Sequence, residues 1–252
     1  MRLLKKSFPF VVGLVSYFAV KAMFFDTVAA KEVDPSQLEQ ALLQTEQGEI
    51  FQLVKSEFPV EFQAFIQELA AVANQKHANK RQRSLAVQSK SGEFTAGLRR
   101  KHAHYLQQAP AQLLRALQMS KLELILTTQN DPALCTRIAS HGPAGFTESE
   151  LNERRVGILA ETSVLFFKSM VAGRDHPAQR ARATQEDYAA VLTEWGEQPD
   201  VTSGMYEALM QNDPTSDEFC ASMTSFQRFA ASLKGLSAER VLADLSAEAD
   251  SN

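Results

Sequence analysis

Two cysteines, five histidines and one dense block of basic residues are the side chains with which this sequence could do chemistry. Cys135 and Cys220 lie far apart and lack the C-x-x-C spacing of a thioredoxin-like redox motif or a cysteine zinc site. In an oxidising compartment they are expected to form one disulfide joining distant parts of the chain. In a reducing one they would be buried thiols that pack as small apolar groups. Cys135 and His141 invite a nucleophile-and-base reading, but the sequence supplies neither an orienting third group nor an oxyanion site. His102 and His104 are two residues apart. On a helix that spacing points them to nearly opposite sides, so they cannot share one ion there. No HExxH or other zinc spacing occurs, and no metal or cofactor is expected.

The basic block runs from residue 76 to 104. Lys76, Lys80, Arg81, Arg83, Lys90, Arg99, Arg100 and Lys101 face a single acid, Glu93. Lys80, Arg81, Arg83, Arg99, Arg100 and Lys101 are the candidate interaction face. Such a face suits anionic lipid headgroups, an acidic protein partner, or the acidic remainder of this chain, and long solvated helices also carry such charge. Residues 31–252 as a whole hold 22 basic and 29 acidic side chains, a net charge of −7. An acidic body makes nucleic acid a poor partner, because phosphate binding needs concentrated positive charge.

The catalytic signatures G-x-S-x-G, S-x-x-K, the P-loop, GxGxxG and the EF-hand loop are absent. A glycosidase needs only two placed carboxylates, which a sequence does not reveal. An envelope hydrolase of that kind therefore stands as an alternative to a binding protein. So does an apolar-ligand carrier built from the phenylalanine-rich helices.

The elements that must position these residues are helical. The sequence begins with Arg2, Lys5 and Lys6, followed by an apolar run from Phe8 to Phe25 interrupted by Lys21. Residues 8–25 fit a retained inner-membrane helix with the N-terminus in the cytoplasm and the body in the periplasm. Alternatively, residues 1–30 are a signal peptide cleaved after Ala30, where Val28, Ala29 and Ala30 supply the small-residue pattern. No N-x-S/T sequon occurs in the exported part, in keeping with a bacterial protein.

Downstream, Asp34-Pro35 starts a helix expected to end at Gly48. Pro59 starts the clearest amphipathic helix, with Phe62, Phe65, Ile66, Leu69, Val72 and Ala73 on one stripe. Ser89, Ser91 and Gly92 are expected to break the basic segment in two. Leu106, Leu113, Leu117 and Leu124 resemble a heptad seam, with Pro110 as a helix start. Asp131-Pro132 opens a short helix bearing Cys135, and residues 142–145 form a turn-rich connector. Capping boxes are expected at Thr147/Glu150 and Thr215/Glu218, and caps at Thr184 and Ser237. No run alternates apolar and polar residues long enough for a strand. The expectation is an all-α chain: an N-terminal hydrophobic export or anchor helix followed by an irregular multi-helix bundle. Residues 31–142 and 146–252 would be two helical subdomains packed into one body. In function it reads as a membrane-tethered binding or scaffold protein of the bacterial envelope.

Overall fold

The computed structural model describes residues 32–45 and 48–248. The anchor or signal segment 1–30, with its span at 8–25 and the cleavage point after Ala30, lies outside the described residues, as do residues 249–252.

Helix starts follow side-chain chemistry. The Asp34 carboxylate accepts the N–H groups of Ser36 (2.8 Å) and Gln37 (3.3 Å), and Pro35 opens α1, Pro35–Leu43. Gly48 does not end that helix; it opens α2, Gly48–Glu57. A Cβ at Gly48 would sit 2.3 Å from the Leu43 carbonyl oxygen, so a glycine is required there for space. Pro59 opens α3, Pro59–Asn74, which buries Phe62, Phe65, Ile66, Leu69 and Ala73 of the stripe together with Ala70, while Val72 is only half-buried.

The basic segment is one unbroken helix, α4, Lys80–His102. The hydroxyls of Ser91 and Thr95 donate to the carbonyls of Val87 (3.0 Å) and Ser91 (2.9 Å) one turn back. Their polar groups are thus satisfied inside the helix and do not compete with it.

A 3-10 segment, Ala103–Gln108, leads to α5, Ala111–Leu126. Leu106 lies in the 3-10 segment, ahead of Pro110, so the leucines do not form one continuous seam. Then follow α6, Pro132–His141, two short 3-10 turns, and α7, Glu153–Asp175. The chain continues through α8, Gln185–Gly196, α9, Ser203–Gln211, α10, Phe219–Ser232, and α11, Leu236–Glu248. The protein is an all-α bundle, with no strand among the described residues.

Some caps act differently from their sequence signature. Thr147 and Glu150 do form a capping box, but it closes only the turn Glu148–Glu150, and Asn152 caps α7. Thr215 instead bonds to Asp213 through its N–H and hydroxyl, while Glu218 accepts the Thr202 hydroxyl. A local acceptor and a tertiary donor thus take the two members of that expected box. Ser237 lies inside α11, and its side chain bonds Asp187 rather than capping the helix.

The described residues divide into two compact units, with the break between Lys101 and His102. In the first unit α1, α2 and α3 pack on one another. In the second, α5 is the central helix, contacting α6, α7, α10 and α11. The helices on either side of the connector share one core because α6 and α10 are in direct contact and covalently joined. Trp195, Phe166, Phe167 and Phe219 are among its fully buried side chains. Among the described residues α7 alone is long and apolar enough to span a membrane, but more than half of its apolar window is buried in the protein. That burial marks it as a core helix.

Candidate functional site

The basic helix meets its counter-charges on α3. Lys101 Nζ lies 2.6 Å from Glu61, Phe94 stacks on Phe65 with centroids 4.2 Å apart, and Lys90 Nζ lies 2.9 Å from Glu68. As the α3 number rises the α4 number falls, so the two helices run antiparallel along this seam. Spacings of seven and four on α4 against four and three on α3 keep these residues on facing sides. Lys90 also reaches Glu93 at 3.3 Å, and these two carboxylates raise its pKa above the ordinary lysine value. The aromatic pair contributes about 0.5–1.5 kcal/mol beyond burial. The exposed ion pairs contribute less, about 0–1 kcal/mol each.

Three residues of the basic block are engaged within the first unit. Lys90 and Lys101 are neutralised by α3. Arg99 is buried, 7% exposed, and its burial pushes the guanidinium pKa down to about 9, still charged at neutral pH. Arg99 lies with Val87, Ser91, Thr95 and Leu98 on the inward side of α4. The remaining candidates separate along the helix. Lys80 and Arg81 lie at its first turn and Arg100 at its last, about 28 Å away at 1.5 Å per residue. The six candidate residues therefore do not form one surface. A sequence count registers their density but not their rotation about the helix axis.

What survives is a corner where α3 hands over to α4. Lys76, Lys80 and Arg81 are exposed there, Arg83 is half-buried, and no acid occurs between Glu68 and Glu93. The corner has a defined backbone. The His77 ring bonds the Val72 carbonyl at 2.8 Å, and Asn79 accepts the Gln82 N–H at 2.9 Å. The Gln82 side chain in turn accepts the Ala78 N–H at 3.2 Å, so the start of α4 is reciprocally capped. One turn beyond Arg81, on the same side of α4, Leu85 is 53% exposed.

The start of the body is fixed beside this corner. The Asn74 side chain accepts the Val33 N–H (2.7 Å) and donates to the Val33 carbonyl (3.0 Å). A shallow open groove of about 470 Å³ lies along the join, lined by Glu32, Val33, Asp34, Pro35, Gln67, Ala70, Ala71 and Asn74. Of its two acids, Asp34 is engaged in capping α1, and those hydrogen bonds hold its pKa below the ordinary value. Sequence reading missed this clamp, because an asparagine at a helix end has no signature that names a partner 41 residues away.

Cys135 and Cys220 are bridged, with Cα atoms 5.7 Å apart, and the bond ties α6 to α10. Cys135 is thus no nucleophile toward His141. His104 packs at a tilt against Tyr105 with centroids 4.0 Å apart, while His102 closes α4. No group of three or more His, Cys, Asp or Glu among the described residues is placed to hold a metal ion.

The second unit carries a separate charged network. Asp187 accepts the Thr184 N–H (2.9 Å) and an Arg240 N–H (2.9 Å), and also bonds Ser237. Led by the Ser237 bond, these contacts hold its pKa down to about 2. Arg180 donates to the carbonyls of Gln107 and Ala109, each at 3.0 Å, and pairs with Glu239 at 3.6 Å. These contacts strap the link between α7 and α8 onto the bundle. The basic residues of that link are therefore structural.

The chain matches no protein-family model, and no curated protein or solved structure is significantly similar to it.

Proposed function

We propose that this is an exported helical binding or scaffold protein of the bacterial envelope. Residues 8–25 hold it in the inner membrane with its body in the periplasm. The observation that carries this reading is the Cys135–Cys220 bridge, since such bonds persist in oxidising compartments and are rare in the cytosol. The positively flanked apolar run at the N-terminus supports the same compartment and supplies the tether. Cleavage after Ala30 would instead release the same body into the periplasm. The binding role follows from the exposed cations left over after α3 has neutralised its share of α4.

The test is an intact mass of the chain from membrane and soluble fractions, without and with reductant, coupled to crosslinking in whole cells. A full-length, oxidised chain in the membrane fraction with a reproducible crosslinked partner is the expected result. A reduced chain recovered from the cytosol sinks the export reading, and an oxidised chain with no partner sinks the scaffold reading.

A further inference from the structure

From the α3–α4 corner we infer that Lys76, Lys80 and Arg81 form a juxtamembrane surface that engages the anionic headgroups of the bilayer carrying the N-terminal tether. The inference rests on the tether reading and names the partner of this corner.

The chain leaves its apolar N-terminal run at Phe25 and reaches Val33 within eight residues. Val33 is held by both atoms of the Asn74 amide. Asn74 precedes Lys76 by two residues and Lys80 by six. A tether of that length spans at most about 28 Å when extended, so the corner cannot move far from the surface the tether enters.

The chemistry of the corner fits that location. Lys76, Lys80 and Arg81 are exposed, whereas α3 occupies Lys90 and Lys101. Two acids, Glu32 and Asp34, line the groove beside the clamp, and Asp34 is already engaged by the start of α1. Leu85 adds an exposed apolar side chain on the Arg81 side of α4. Cations beside an apolar group suit a headgroup layer, where the charges meet phosphates and the leucine enters the acyl boundary. The tether adds a high effective concentration, so a few cations suffice where a free protein would need many.

The experiment is acetylation footprinting of the full chain in vesicles of phosphatidylcholine alone, or with phosphatidylglycerol. Protease accessibility of residues 8–25 is read on the same samples. Lys76 and Lys80 should acetylate several-fold more slowly on the anionic vesicles, and about 0.5 M NaCl should abolish the protection by screening. Lys234 serves as the reference lysine. The variant Arg81→Gln, at an exposed position, should lower the protection of Lys76 and Lys80 by about fivefold. Equal acetylation of both lysines in the two kinds of vesicle overturns the inference, whichever way residues 8–25 partition. Protease cleavage within residues 8–25 overturns the tether reading separately.

Discussion

Val33 and Asn74, 41 residues apart, are joined by a pair of hydrogen bonds, backbone N–H to side-chain oxygen and side-chain N–H to backbone oxygen. The amide of one asparagine reproduces the pairing that a strand neighbour would give, and fastens the end of α3 to the chain just ahead of α1. Both groups are exposed, so the pair contributes about 1 kcal/mol in all. Its consequence is positional more than energetic. Replacing Asn74 with Ala should speed hydrogen exchange at residues 33 to 36 while leaving the melting temperature of the whole chain nearly unchanged. Unchanged exchange there would mean that α1 packing alone holds the start of the body.

The Cys135–Cys220 bond closes a loop of 85 residues. In the chain-entropy account a loop of that length stabilises by about 4–5 kcal/mol. The double variant Cys135→Ser, Cys220→Ser should lose stability of that order in denaturant titration, with the wild-type chain gaining about 2 Da on reduction. A double variant as stable as the oxidised chain would assign the stability to the contact between α6 and α10 instead.

Two glycines in α7 should respond to alanine with opposite signs. At Gly173 a Cβ would lie 2.0 Å from the Tyr105 carbonyl oxygen, where the 3-10 segment crosses the helix. That backbone cannot yield without moving the segment, so Gly173→Ala should destabilise by about 1–3 kcal/mol or more. Gly157 has open space around its missing Cβ, and Gly157→Ala should stabilise by about 0.5–1 kcal/mol through helix propensity. Thermal melts of the two variants test both signs at once.

Asp187 gives the second unit an acid-sensitive fastening. Its pKa is lowered to about 2 by bonds to Ser237 and Thr184 and by the Arg240 charge. A carboxyl whose folded pKa lies below the unfolded value adds stability at neutral pH. That contribution is full above about pH 5 and fades as pH falls through 4 toward 2. The variant Asp187→Asn should be less stable than wild type at pH 7, and the difference should shrink by pH 3. Parallel urea titrations at the two pH values measure it, and a gap independent of pH would contradict the assignment.

The α3–α4 seam predicts a further asymmetry. Phe94→Ala should destabilise the first unit more than Lys101→Ala, because Phe65 loses its stacking partner whereas the Lys101–Glu61 pair is solvent-exposed. Equal losses would show that the ion pair contributes as much as the aromatic contact.

Much of the secondary structure was legible because its signals are local. Asp34-Pro35, Asp131-Pro132 and Thr184 cap their own helices, and the stripe from Phe62 to Ala73 has one buried side whatever it packs against. The all-α class and the apolar faces follow from period and capping alone. The misread boundaries are places where a distant or neighbouring group won. Gly48 was set by the closeness of Leu43, Ser237 was taken by Asp187, and Glu218 by Thr202.

The sequence by itself determined how much positive charge residues 76–104 carry, that the chain is helical, and that two cysteines are available to pair. Tertiary structure decided how that charge is divided. Rotation about the α4 axis buries Arg99 and turns Lys90 and Lys101 toward α3, leaving Lys76, Lys80 and Arg81 at the corner. It also decided that Cys135 meets Cys220 and that Asn74 holds Val33. Charge count is a property of composition. Exposure and pairing depend on which side of each helix meets its neighbour, and that is fixed only when the non-local contacts form.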